Sequence, residues 1–282
     1  MKRTTPLKKT VRLLLVVFLA AFFCQIGFHE LYEEGKSGRL HEKVTETEVF
    51  CRQQVTPRME RYIQHSADPG RDLGIFWLET KFGYETFPWE VSEKVFCERE
   101  KRWKKNPFYL SYIDTCRAIW NEVEYFPVAK SDMKGRKFVF FSDSWMEERS
   151  YGGKRGHEGT DLMAGEDVRG IYPVISMTDG VVEQMGWLEK GGNRIGIRTE
   201  AGAYFYYAHL DSYANIRQGD PVKAGQLLGF MGDSGYGKEG TKGMFPVHLH
   251  LGIYIYPDGT ETGVNPYPVL KYAEQKIRKY SY

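Results

Sequence analysis

The sequence has little net charge: 39 basic side chains against 37 acidic ones leave +2 over 282 residues. No basic block follows the N-terminus and no acidic tail is present, so the charge pattern gives no reason to expect nucleic acid as a partner. Cysteine is sparse, four in all with no C-x-x-C pair, which removes it as a candidate metal ligand. Glycine is nearly missing from the first half: 7 of 30 lie in residues 1–150. Four of the six Trp fall between Trp77 and Trp120, so that glycine-poor part has large apolar side chains for its own core. Two architectures in series follow, helical first and Gly-punctuated β second, an α+β chain. A hydrophobic share of 41% with 27% charged excludes global disorder.

At the N-terminus Lys2, Arg3, Lys8, Lys9 and Arg12 precede an apolar run, Leu13 to Phe28, broken by Gln25 and followed by Glu30, Glu33 and Glu34. The basic flank predicts a cytoplasmic tail and an extracytoplasmic remainder. As a helix this run spans about 24 Å, short of a hydrocarbon core of about 30 Å, with Arg12 snorkelling and Leu31 and Tyr32 partly buried to cover the difference. No small-x-small cleavage site follows it, and Phe22 and Phe23 before Cys24 argue against lipidation. The expectation is an uncleaved single-pass anchor over residues 1–30, with secretion after cleavage as the alternative. Outside the membrane Cys51, Cys97 and Cys116 are three, so at least one is unpaired or pairs between chains.

Residues 40–126 read as a helical accessory region. Asn106-Pro107 offers an N-cap and a first-turn proline, after which Phe108, Tyr112, Cys116, Ile119, Trp120 and Val123 mark one apolar face. Cys116 is therefore expected buried, either reduced or bridged to Cys97. Weaker helices are expected over Val44–Ile63 (broken at Pro57), Leu73–Phe82 and Trp89–Lys105, while His29, His41 and His65 are isolated and expected exposed. After Pro127 the pattern changes to short β-type runs: Phe138–Phe141, Val174–Met177, Gly180–Met185, Arg194–Thr199, Tyr204–His209, Leu227–Met231 and Val247–Ile255. Their Gly-rich turns are too short for helical crossovers, which predicts a mainly antiparallel β domain over 136–270.

Four of the seven His lie in this β region: His157, His209, His248 and His250. In P-V-H-L-H-L-G-I-Y-I, strand alternation puts His248 and His250 on one side and Leu249, Leu251 and Ile253 on the core side. In R-G-H-E-G-T-D, Gly156 and Gly159 favour a loop entering a strand, from which His157 and Asp161 can reach one cation. In Y-F-Y-Y-A-H-L, alternation groups His209 with Phe205 and Tyr207. Each element alone is weak: an H-x-H occurs without function, a nearby Asp and His more often form a surface pair, and a lone strand histidine is more often packed.

Together they resemble the lysostaphin/LytM-type zinc metallopeptidases. S-Y-G-G-K-R-G-H-E-G-T-D, G-N-R-I-G-I and V-K-A-G-Q-L-L-G-F-M-G support the match, which covers about residues 136–267. The resemblance implies zinc held by His157, Asp161 and His250, a vacant fourth position for water, and His209 and His248 as catalytic imidazoles. It implies a peptidoglycan endopeptidase, with His248 moving the proton and His209 stabilising the oxyanion or positioning the water, two roles open to exchange. The alternative is a wall-binding scaffold or an activator of another hydrolase. One departure is the longer approach to H-x-H, Gly237 to Phe245, expected to border the cleft. Gly235, Gly237 and Gly240 spell G-x-G-x-x-G but lead into a strand, and Glu239 stands where a phosphate loop needs Ser or Thr, so no nucleotide partner is expected.

Overall fold

The computed structural model describes residues 6–282. Lys2 and Arg3 lie outside them, as do the side chains of Lys8, His29, Glu30, Leu31, Tyr32, Glu33 and Glu34. Two units are distinguished, Met1–His41 and Glu42–Tyr282. The first is dominated by one unbroken helix, α1 (Pro6–Ser37). Its apolar stretch, Lys9–Phe28, has 20 residues at mean hydropathy 2.3, about 30 Å of helix. The shortfall expected from Leu13–Phe28 alone is thus made up by the preceding turn, and length is no obstacle to spanning a bilayer.

In the second unit helices come first: α2 (Glu48–Cys51), α3 (Pro57–Ile63), α4 (Pro69–Thr80), α5 (Glu93–Trp103) and α6 (Tyr109–Trp120). Pro57 and Pro69 each sit in a first turn, where the missing N–H costs nothing, beneath Thr56 and Asp68 caps. The last helix begins two residues beyond Pro107. Asn106 does not cap it; its Oδ1 accepts from the Phe108 N–H, closing a turn ahead of the helix. The expected apolar face is otherwise present: Tyr112, Cys116, Ile119 and Trp120 are all at most 1% exposed. Cys51, Cys97 and Cys116 are free thiols, so Cys116 is buried without a bridge. His41 and His65 are exposed.

Three buried tryptophans are also hydrogen-bonded. Trp77 donates to the Gln54 carbonyl at 2.7 Å, Trp120 to Gln53 Oε1 at 2.8 Å, and Trp103 to Glu79 Oε1 at 3.1 Å. Close approach of α4 and α6 depends on Gly70 and Gly74. A Cβ at Gly70 would lie 2.6 Å from the Arg117 Cα, and one at Gly74 would lie 2.7 Å from Ile113 Cδ1. For Gly70→Ala the gain in helix propensity is at most about 1 kcal/mol, whereas overpacking against backbone costs about 1–3 kcal/mol. We expect net destabilisation, read as a lower midpoint in denaturant; an unchanged or higher midpoint would show that the helices yield freely.

The β region is one nine-stranded sheet flanked by two-stranded pieces. β1 (Lys130–Ser131) pairs in parallel with the last strand, and β2 (Glu148–Arg149) pairs with β3 (Arg155–Gly156). The large sheet contains β4 (Thr160–Met163), β5 (Pro173–Ile175), β6 (Gly180–Leu188), β7 (Gly192–Arg198), β8 (Tyr204–Tyr213), β9 (Pro221–Val222), β10 (Leu227–Met231), β11 (His248–Ile255) and β12 (Thr262–Val264). Its main path runs β12-β11-β8-β7-β6-β9, with β4 on β11 and β10 joining β8 to β5. Every pairing in it is antiparallel, as the short Gly-rich connections require. The chain ends with α7 (Tyr267–Ala273) and β13 (Lys279–Tyr280), the partner of β1.

One expected strand is absent: Phe138–Phe141 makes a single bridge, Phe140 to Met163, because Phe138 and Phe141 turn their rings onto Phe126 at 5.9 and 5.7 Å. One face of the sheet is core, with Ile195, Ile197, Phe205, Tyr207, Leu249, Leu251 and Ile253 at most 1% exposed. The other carries Arg194, Tyr204, Tyr206, Ala208, His248, His250 and Tyr254 into a cleft. The helices dock on this unit through Asn265 N–H to the Cys51 carbonyl (2.7 Å), Gln64 to the Tyr272 carbonyl (3.1 Å), and Trp120 against Tyr272.

Candidate active site

The cleft has a volume of about 430 Å³ and contains His157, Asp161, His209, His248 and His250. Register explains the convergence. Strand β4 lies antiparallel beside β11 with Asp161 opposite His250, and β8 lies on the other flank with Ala208 opposite His250. His157 precedes β4 in the loop after β3, held by its N–H to the Glu147 carbonyl at 2.9 Å. Gly159 lets this loop pass under the His250 ring: a Cβ there would sit 2.6 Å from His250 Nε2 and 2.7 Å from the Leu251 carbonyl oxygen.

Three ligand-type atoms meet at one point. His157 Nε2 is 3.1 Å from Asp161 Oδ1, His250 Nδ1 is 3.0 Å from the same oxygen, and the two nitrogens are 2.9 Å apart. Among the described residues these three form the group able to hold a metal ion. A tetrahedral zinc with bonds of about 2.0–2.2 Å separates its ligand atoms by about 3.3–3.6 Å. The triangle therefore fits such an ion after opening by a few tenths of an ångström, and two imidazoles with a carboxylate are a suitable donor set.

Backbone carbonyls set the tautomers. His157 Nδ1 lies 3.1 Å from the Ser144 carbonyl, His209 Nδ1 2.8 Å from that of Ser234, and His248 Nδ1 2.8 Å from that of Pro246. A carbonyl can only accept, so each of these rings carries its proton on Nδ1 and keeps the Nε2 lone pair free. Arg149 Nη2 is also 3.0 Å from His157 Nδ1, but two donors cannot share a proton; its hydrogen goes to Asp161 Oδ2, likewise at 3.0 Å. Asp161 is thereby fixed on both oxygens. Burial alone would raise its pKa, but its close contacts with the His157 and His250 rings and the neighbouring imidazoles hold it far below the usual carboxylate range.

Burial depresses the basicity of His209 strongly, with His248 and His250 adding to the effect against the Ser234 carbonyl. Burial lowers His250 as well, opposed by Asp161. Both rings are neutral near pH 7, with nitrogen lone pairs available.

Strand alternation misplaced His209. It is not on the core face with Phe205 and Tyr207 but in the cleft with Tyr206 and Ala208. Between Asn193↔Leu210 and Ile195↔Tyr207 the strand β8 advances three residues while β7 advances two, a bulge that reverses the alternation. His209 sits at φ 62° within it, and its N–H is held by the Gly191 carbonyl at 2.8 Å. Such a left-handed residue costs about 1–2 kcal/mol. Residues that strained cluster at functional sites.

Of the long approach to H-x-H, Phe245 alone reaches the cleft histidines, and Tyr236 just ahead of that approach lines the cleft. Phe245 packs on His209 and His248 at centroid distances of 4.7 and 5.0 Å, and Tyr236 stacks on Tyr151 at 4.1 Å with a 2° interplanar angle. Gly235 and Gly240, with φ 124° and 88°, are turn residues here. The sequence reading missed Arg149, Arg155 and Arg194, all of which line the cleft.

Comparison with known proteins gives two matching family models. The LytM N-terminal domain covers residues 35–122 and peptidase family M23 covers 155–266. The L-Ala–D-Glu endopeptidase of Bacillus subtilis (strain 168) is 46% identical over 132 residues, spanning 46% of this chain and 39% of the relative. Lysostaphin of Staphylococcus simulans is 35% identical over 103 residues, 36% of this chain and 19% of the relative. The chain thus matches well under half the length of these curated relatives. A crystal structure of a candidate glycyl-glycine endopeptidase LytM from Ruminococcus gnavus ATCC 29149 is similar at TM-score 0.84 and 55% identity, over 88% of this chain and 98% of that one.

Proposed function

The chain belongs to the LytM-type peptidases of family M23, and on that premise we propose that it is a zinc-dependent endopeptidase cutting peptide bonds in bacterial peptidoglycan. The observation that carries the reading is the convergence of His157 Nε2, Asp161 Oδ1 and His250 Nδ1 beside two further imidazoles, those of His209 and His248. His157, Asp161 and His250 would hold the metal, leaving a fourth position open. Zinc, when bound, supplies Lewis acidity that polarises an oxygen and eases its deprotonation near neutral pH.

The remaining chemistry belongs to side chains. His248 presents Nε2 to the cleft, with its Nδ1 proton held by Pro246, and accepts the proton of the attacking water before returning it to the leaving amine. His209 also presents an acceptor, 4.6 Å from His248 between ring centroids. A buried neutral ring whose Nδ1 proton is committed to Ser234 cannot donate from Nε2. In this form it accepts from the water and orients it, while the oxyanion role would need the ring protonated on Nε2. Purified chain should release peptides from isolated cell wall, lose this activity to a chelator and regain it with zinc. Chain that holds zinc yet releases nothing from walls of any cross-bridge type would turn the reading to a scaffold.

The relatives' names point to two kinds of bond, one next to an acidic residue and one between glycines. We also propose that α1 anchors the protein in the membrane with the cleft outside the cell, on the basic flank before Lys9–Phe28 and the length of that stretch. The mature protein should sediment with membranes and resist salt extraction. A mature N-terminus beyond residue 28 would make it secreted instead.

A further inference from the structure

We propose that Arg194 and Arg155 form a carboxylate-binding subsite on the cleft floor, selecting peptides that carry a free carboxylate one or two residues from the scissile bond. The inference rests on the endopeptidase reading and names its substrate class. Both arginines line the histidine cleft. Arg194 comes from β7, opposite Gly186, on the face that holds Tyr204 and Tyr206. Arg155 comes from β3, two residues before His157.

Part of each guanidinium group has no partner. Arg194 Nε and Nη1 and Arg155 Nε are buried and have no hydrogen-bond partner among the described residues. Neighbouring arginines are committed: Arg149 to Asp161, Arg169 to Asp233 and Arg198 to Glu183. A buried donor left unpaired loses its hydration without compensation. Native structures keep few such groups, and in a cleft the natural partner is a ligand. The planar fork of arginine suits a carboxylate through paired N–H donors, which a lysine cannot reproduce.

Position fixes what is recognised. Both arginines act electrostatically on the Tyr206 phenol, and the Tyr206 ring centroid is 5.9 Å from that of His250. An extended peptide advances about 3.3–3.6 Å per residue, so a group held beside Tyr206 belongs one or two residues from the bond over the metal site. Acidic groups share the cleft: Glu158 and Glu261 act on Tyr254, whose ring centroid is 6.3 Å from that of Tyr206. The cleft therefore carries basic side chains beside Tyr206 and acidic ones one ring away beside Tyr254. A glycine run offers these basic side chains nothing. An acidic residue flanking the cut does.

The test uses full-length chain in detergent, loaded with zinc, and two synthetic peptides. One is L-Ala–D-Glu–L-Lys with the D-Glu carboxylate free; in the other that carboxylate is a carboxamide. Wild type should bind and cut the free acid better by on the order of 10- to 100-fold. Arg194→Gln should lose most of that preference through KM, Arg155→Gln should reduce it, and Arg194→Lys should keep part. Arg198→Gln, an arginine spent on Glu183, should retain it. Equal binding of the two peptides by wild type overturns the subsite, as does equal loss in Arg198→Gln and Arg194→Gln. If neither peptide is cut, the endopeptidase reading fails for these bonds, while a binding preference abolished in Arg194→Gln still upholds the subsite.

Discussion

Asp161→Ala should purify without stoichiometric zinc and release no peptide from cell wall above background. Its Oδ1 is the atom both His157 Nε2 and His250 Nδ1 approach, at 3.1 and 3.0 Å, and its Oδ2 anchors Arg149. Removing it leaves two protein ligands for an ion that favours four-coordination and sets a guanidinium loose beside the cluster. The carboxylate is also the nearest negative charge among neighbouring imidazoles, so its loss removes the attraction that favours a cation there. Metal per chain, measured by elemental analysis, and wall digestion are the readouts. Zinc retained at one per chain with activity near wild type would show that the ion lies elsewhere.

His248→Ala should keep the metal and the fold while the rate falls by about 10²–10⁴-fold, the usual worth of a positioned acid–base group. Strand β11 is anchored by Leu249, Leu251 and Ile253 on the core side, so truncating a cleft-facing ring leaves the sheet intact. The effect should appear in kcat, because proton transfer belongs to the transition state. His209→Ala should also keep the metal and lose on the order of 10²-fold, as expected when a reacting group loses its orientation. If His248→Ala loses zinc as completely as Asp161→Ala, the separation of metal-holding from proton-carrying residues is wrong.

How much of this was legible beforehand depends on what each residue does for the backbone. His248 and His250 could be paired from sequence because a regular strand alternates, and β11 is regular through both. His157 and Asp161 could be paired because the glycines around them signalled a loop entering a strand, which β3 and β4 supply. His209 was found as a residue but given the wrong face, because a bulge adds one residue without a glycine to mark it. The start of α6 was misplaced for a similar reason: Asn106 satisfies the Phe108 N–H whether or not a helix follows immediately. Gly70 looked like an ordinary glycine and Gly159 like a loop glycine and no more, since what excludes a side chain from each is a segment distant in sequence, Arg117 in one case and His250 in the other. The unspent nitrogens of Arg194 were invisible because an absence of partners exists only in three dimensions.

The bulge in β8 makes this site sensitive to chain length as well as to chemistry. Substituting Ala208, a buried residue on the cleft side opposite His250, alters one side chain. Deleting its codon would remove the extra residue that separates Tyr207 from Leu210 in register with β7. The strand would regain strict alternation with Tyr207 and Leu210 still on the core side, and His209 would take the place of Ala208 opposite His250, losing the left-handed position from which it now meets His248. A one-codon deletion here would leave the imidazole in the chain and the core filled, yet move the ring one strand position, so the site depends on the length of β8 as well as on its residue types.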